Sequence, residues 1–192
     1  LNNFKNILFV LIFLFFFWIL MFTFFPFILL KLIKIEEGTY SFKERTINVF
    51  IWRLLSFFYV FTYNILGPLN LIFLKPIAYK FFGLECGKNV LIGGQIFDPW
   101  FVKIGNNVMI GHGAVILGHE VISKRNQIFT RINKINIKDN VTLGVYSIIM
   151  SGVHIGKNSI VQANSLVLTG TKIPENEIWG GNPAKFIKKR NI

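Results

Sequence analysis

From Cys86 to Trp179 the chain counts in sixes. Cys86, Ile92, Asp98, Ile104, Ile110, Ile116 and Ile122 stand six apart, and after a pause Ile137, Leu143, Ile149, Ile155, Val161, Val167, Ile173 and Trp179 resume the step. Twelve of these fifteen residues are aliphatic, which marks the step as a burial pattern. A period of six suits neither a helix, with about 3.6 residues per turn, nor a long two-faced strand. It suits a chain that runs a short strand, turns, and runs again. Gly follows the phase residue at 87, 93, 105, 111, 144 and 156. Asn89, Asn106, Asn107, Asn140, Asn158 and Asn164 suit corners that need positive φ. Three such sides close a coil of 18 residues, so residues 18 apart stack. The expected fold is mainly β: a left-handed parallel β-helix whose repeats bury a core only by stacking on one another.

Two departures from the step stand out. Ile122 to Ile137 is 15 residues, nine more than one step, so a loop at about 123–136 is expected to leave the coil. It carries Lys124, Arg125, Arg131 and Lys134, and reads either as a solvated charged excursion or as an arm toward a neighbouring subunit or an anionic ligand. The other departure is Asp98, in FDPWFV, at a phase position where an aliphatic residue belongs. A buried carboxylate is costly unless paired. Asp98 is therefore either a plain Asp-Pro turn, the favoured reading, or a group that orients a substrate or a catalytic base.

The N-terminal part is of another kind. Residues 7–30 are uncharged and apolar, long enough to span a bilayer as a helix, with Lys5 before them and Lys31 and Lys34 after. A secretory signal would have a shorter apolar run followed by a small-residue cleavage site. Residues 47–74 are apolar too, but Arg53, Asn64, Gly67, Pro68 and Asn70 interrupt them. They read as a second span, a re-entrant hairpin or an interfacial helix. The connecting region carries Lys31, Lys34, Lys43 and Arg45, which places it in the cytoplasm by the positive-inside rule. A cytoplasmic β-helix then favours one span or an embedded hairpin followed by an interfacial segment. The division expected is 1–83 for membrane attachment and 84–192 for the β-helix, with 174–192 as its closing segment.

Formal net charge is +12, and both parts share it. Beside apolar helices this favours anionic lipid headgroups as partners; no nucleic-acid-binding motif is present and no nucleic acid is expected. Cys86 is the single cysteine, so no intrachain disulfide forms, and it reads as a small core residue.

The stretches CGKNVLIG, IGNNVMIGHGAVI, IKDNVTLG and VHIGKNSIVQANSLVL, with the ending IWGGNPAKFIKKR, resemble the bacterial hexapeptide-repeat acyltransferases, in particular their maltose, galactoside and xenobiotic acetyltransferase branch. The resemblance covers residues 84–190; the apolar N-terminal part is not found in that soluble branch. It implies acetyl-CoA or another acyl-CoA as donor, no metal, and a homotrimer with sites between subunits. It implies that His119, just before the loop, is the general base that takes the acceptor hydroxyl's proton. Gly144, Ala163 and Thr169 match positions that meet the pantetheine arm. Gly181, Asn182, Pro183 and Lys185 match the terminal stretch near the nucleotide, where Lys188, Lys189 and Arg190 add positive charge. Membrane attachment points to a glycan or lipid-linked sugar as acceptor, at the inner face of the cytoplasmic membrane. Two rival readings are a catalytically idle membrane-bound scaffold and a zinc carbonic anhydrase, whose relatives use three histidines across an interface. His112, His119 and His154 occupy different corner phases, which speaks against the zinc site.

Overall fold

The computed structural model describes residues 2–43, 46–66 and 72–191. Its centre is a three-sided parallel β-helix. One side stacks Glu85–Cys86, Val102–Ile104, Ile135–Ile137, His154–Ile155 and Lys172–Ile173. The second stacks Leu91–Ile92, Met109–Ile110, Thr142–Leu143, Ile160–Val161 and Glu177–Gly180. The third stacks Gln95–Phe97, Val115–Leu117, Ile148–Ile149 and Leu166–Val167. Ile92, Ile104, Ile110, Ile116, Ile137, Leu143, Ile149, Ile155, Val161, Val167 and Ile173 all point inward and are buried. Each contributes about 1.5–3 kcal/mol of apolar burial. At one corner Asn89, Asn107, Asn140, Asn158 and Asn176 all adopt positive φ. Each side-chain amide donates to the next oxygen at 2.9–3.1 Å, which makes a continuous ladder along the coil. The closing segment folds back as Lys185–Lys189, antiparallel to Glu177–Gly180.

The first coil departs from the expected phase. Ile96, not Asp98, stacks on Ile116. The chain reaches it early because Gly93-Gly94 makes a short corner. A Cβ on Gly94 would lie 2.1 Å from the Ala114 carbonyl oxygen, so only glycine fits there. The two residues saved reappear as a 3₁₀ turn at Pro99–Phe101, headed by Asp98 in the left-handed region at φ 54°. Asp98 therefore lies on a turn outside the inward stack.

The excursion also differs from its expected bounds. Stacked partners lie 18 residues apart, as in Asn133 with Ser151, but 33 apart across the excursion, as in Gly118 with Ser151. The insertion is thus 15 residues, 119–133, and Ile137 occupies the place expected for Ile122. The physical reason is that the excursion is itself a hairpin: His119–Lys124 pairs antiparallel with Gln127–Ile132 around Arg125-Asn126, both at positive φ. Period-two strand alternation puts Ile122 in phase by coincidence. A hydrogen bond of 3.3 Å from Asn133 N–H to the Gly118 carbonyl closes the neck of this arm.

Helices cover what the coil leaves open. Helix α1 (Asn2–Ile19) runs through a π-helical turn at Leu20–Phe24 into α2 (Phe25–Leu32). Pro26 has no N–H to give to the turn before it, and the wider turn sits against it. Phe4–Leu32, with mean hydropathy 2.9 and none of its most apolar stretch buried, is the one helix among the described residues long and apolar enough to cross a membrane. Helix α3 (Ile47–Leu66) is docked on the protein instead of standing free. Its Val49, Ile51, Trp52, Leu55 and Tyr59 are buried, while Phe50, Phe57 and Val60 on the other face are exposed. Arg53, the charge that interrupts the apolar run, donates to the Phe42 carbonyl at 2.7 Å. The Gly67-Pro68 break lies outside the described residues. Helix α4 (Lys75–Phe81) caps the first coil, where Tyr79 and Phe82 join the core and the Tyr79 hydroxyl accepts the Ile96 N–H. A solenoid end needs such a cap. The strand Gly38–Ser41 pairs with the arm, which ties the linker to the β-helix.

Candidate active site

Three elements meet where the arm leaves the coil. The 3₁₀ turn brings Asp98, the arm root brings His119, and α3 brings Trp52. Asp98 is 3% exposed, and one carboxylate oxygen, Oδ2, forms a very short contact with His119 Nδ1. The other, Oδ1, accepts the Trp52 indole N–H at 2.9 Å. The Trp52 and His119 rings meet edge to face, centroids 5.1 Å apart. Gly118 makes room: a Cβ there would come within 3.0 Å of the Asp98 Cβ. Beneath lies a separate small core of Ile35, Ile51, Leu55, Phe101 and Ile132, which fixes all three elements to one another.

Electrostatically, a buried carboxylate with two partners suits a histidine that takes up charge. Burial draws the His119 imidazole downward, but the hydrogen bond and charge of Asp98 more than offset it, and the net position lies above the ordinary histidine value. Nδ1 is engaged by Asp98, which leaves Nε2 for another partner. The His119 side chain is about a quarter exposed. Such a pair can accept a proton at Nε2 and hold the resulting imidazolium.

The next arm residue continues the network. Glu120 accepts from Arg131 and from the Thr169 hydroxyl, each at 2.6 Å. Thr169 thus stands beside the arm root, in the same corner column as Gly118 and Ser151. Gly144, Ala163 and Gly181 lie elsewhere, at the corner between the second and third sides. A Cβ on Gly144 would lie 2.3 Å from the Ala163 nitrogen. Gly181 donates to Ser165 Oγ at 3.2 Å. Asn182, Pro183 and Lys185 are exposed on the closing hairpin beside them. Within one chain, then, Thr169 is tied to Glu120, the neighbour of His119, whereas the other expected donor contacts form a second group on the adjacent corner.

The remaining histidines are apart from the pair. His112 packs edge to face on Tyr146, and His154, exposed on the first side, contacts Asn136 at 3.3 Å. Among the described residues no three His, Cys, Asp or Glu side chains gather as a metal site. Cys86 is half buried and its thiol is pushed up by that burial, unlike an activated nucleophile. The sequence pattern does not single out Trp52, Glu120 or Ser151. Nothing marks Trp52 among the apolar residues of its segment. Ser151 carries one usable signal, its spacing of 18 from Asn133.

Comparison with known proteins agrees with the coil. Residues 134–169 match the family model "Bacterial transferase hexapeptide (six repeats)". The chain is 36% identical over 132 residues to a galactoside O-acetyltransferase of Lactococcus lactis, covering 62% of this chain and 60% of the relative. It is 38% identical over 86 residues to gamma carbonic anhydrase 2 of Arabidopsis thaliana mitochondria, covering 45% of this chain and 25% of the relative. The chain thus spans between a quarter and about three-fifths of these relatives. A hexapeptide-repeat acetyltransferase from Vibrio cholerae, solved with acetyl coenzyme A, has the same fold, with a TM-score of 0.51 at 17% identity over 77% of this chain and 92% of that one. The part of the chain at 134–169 carries the repeat of the bacterial hexapeptide transferases, and the coil built on it shares the fold of the Vibrio cholerae protein.

Proposed function

We propose that the protein is an acyl-CoA-dependent O-acyltransferase, moving an acetyl or other short acyl group to a hydroxyl of a membrane-associated acceptor such as a glycan or lipid-linked sugar. The single observation that carries the reading is the pairing of His119 with the buried Asp98 at the root of the arm. His119 Nε2 takes the proton of the acceptor hydroxyl as its oxygen attacks the thioester carbonyl carbon. Asp98 steadies the imidazolium and fixes which nitrogen faces the acceptor. As the tetrahedral intermediate collapses, the carbon–sulfur bond breaks and the imidazolium returns its proton to the departing thiolate. No covalent enzyme intermediate is needed.

Acetyl-CoA is the proposed donor. The similarity to an O-acetyltransferase and the shared fold with an acetyl-CoA-bound protein support it. The split of donor contacts over two corners supports a homotrimer, in which one subunit's Gly144, Ala163 and Gly181 group would face a neighbour's His119. The apolar helix Phe4–Leu32 supports attachment at the cytoplasmic face of the inner membrane, with lipids as partners.

The test is incubation of membranes carrying the protein with radiolabelled acetyl-CoA, with lipid extract and an alkyl galactoside as acceptors. Ester-bound label is expected, absent with His119→Ala. Label undiminished by that substitution would defeat the base assignment. No label from the intact protein with any acceptor would favour the scaffold reading. Stoichiometric zinc together with bicarbonate formation would favour the carbonic anhydrase.

A further inference from the structure

We propose that Trp52 of α3 is a positioning residue for the Asp98–His119 pair, so that the helix next to the membrane segment completes the site. This rests on the reading of His119 as the base.

The observations are specific. A carboxylate has two oxygens, and rotation about the Asp98 side chain would exchange them or turn both away from the imidazole. The Trp52 indole N–H, at 2.9 Å from Oδ1, holds one oxygen so that the other stays on His119 Nδ1. Trp52 also lies against the His119 ring, and so limits the ring's rotation from the far side. Trp52 and Asp98 are 46 residues apart, and the donor crosses from a helix to the coil. Packing alone does not require it. Trp100, two residues from Asp98, is packed in the same small core with its indole nitrogen buried and without a hydrogen-bond partner.

Among the described residues, the nearby charges are engaged elsewhere. Glu120 is held by Arg131 and Thr169, Lys134 lies by Glu37, and Arg53 is turned to the Phe42 carbonyl. The local field on His119 is therefore set by Asp98, and the donor on Asp98 tunes it. Removing the N–H concentrates the carboxylate's charge on the imidazole and favours the imidazolium. It also lets the carboxylate swing more widely about His119 Nδ1 without leaving it, which loosens the orientation of the imidazole.

The experiment is nuclear magnetic resonance of the full chain in detergent micelles, with ¹⁵N-labelled histidine and His119 assigned by its loss in His119→Ala. Trp52→Phe keeps an aromatic ring and removes the donor. The expected result is a His119 titration midpoint raised by about half a unit. Initial rates with acetyl-CoA and an alkyl galactoside should show the acid limb of the pH profile raised equally, kcat about tenfold lower and KM little changed. Ile51→Val, which loosens the same core without touching the donor, is expected to leave the midpoint where it was. An unchanged midpoint in Trp52→Phe, or an equal shift in Ile51→Val, overturns the proposal. The failure of acyl transfer as a whole is seen separately, as no turnover in the unsubstituted protein while the midpoint still responds to Trp52.

Discussion

The coil between residues 138 and 180 and the stretch between 93 and 133 are built from the same six-residue step, yet they are shaped differently. The late stretch keeps the step throughout, with an aliphatic stack inside and an Asn ladder outside. The early stretch breaks it three times: a short Gly-Gly corner, a 3₁₀ turn and the inserted arm. Asp98 and His119 both stand at those breaks. The reason is steric and electrostatic. An inward position in a narrow coil admits only an apolar or small side chain, since a charge stacked there would have no partner. A functional pair needs side chains that leave the stack at an angle, and a turn or an insertion supplies that angle. Regularity stabilises, and irregularity exposes chemistry.

The contrast can be broken at either end. The largest effect is expected from His119→Ala, with acetyl transfer reduced about 10²–10⁴-fold. The mirror case is Leu143→Ala in the regular coil. It should cost about 2–5 kcal/mol of stability, read from denaturant unfolding, because the stack cannot collapse into the void. Asp98→Asn keeps the shape but removes the charge, and kcat should fall about a hundredfold, the low end of a general base's contribution. Its acid limb should move down, the opposite direction to Trp52→Phe. Asn140→Ala, which breaks two rungs of the ladder at positive φ, should cost about 1–2 kcal/mol, and Asn140→Gly less, since glycine accepts that φ.

The smallest effect sharpens the comparison through pH. The net position of His119 is raised in the folded chain, so the basic form needed for turnover appears only above the ordinary value near 6.5. Turnover should rise with pH through that raised midpoint. The stability sign is the reverse: the charged pair stabilises most fully below the unfolded histidine value, and the contribution is lost as pH rises through the folded one. Unfolding midpoints at pH 5.5 and 8.5 should show this in the intact protein and not in Asp98→Asn. Equal dependence in both would assign the effect elsewhere.

The late coil is legible in the sequence residue by residue, because stacking is a nearest-neighbour rule that repeats along the chain. His119 stands out by its place before the break in the step. Asp98 and Ile122 mislead for one shared reason: both fall on the six-residue count by coincidence. The count cannot distinguish a residue in phase from one displaced by compensating changes, here a corner shortened at Gly93-Gly94 and a turn lengthened at Pro99–Phe101. The Asp-Pro turn is present, and the place beside His119 belongs to the same residue. Read from the sequence, these two descriptions of Asp98 are alternatives. No local pattern says that a turn residue and the partner of His119 are one and the same.

By itself, then, the amino-acid sequence determined the β-helix, its corners and the presence of an insertion, since each depends on contacts that recur at a constant spacing. Only the tertiary structure decided that α3 docks on the coil and that Trp52, Asp98 and His119 meet. Those residues are separated by 46 and 21 positions with no period linking them. Their meeting depends on how a helix, a turn and a hairpin pack around one small core, and no local pattern encodes that.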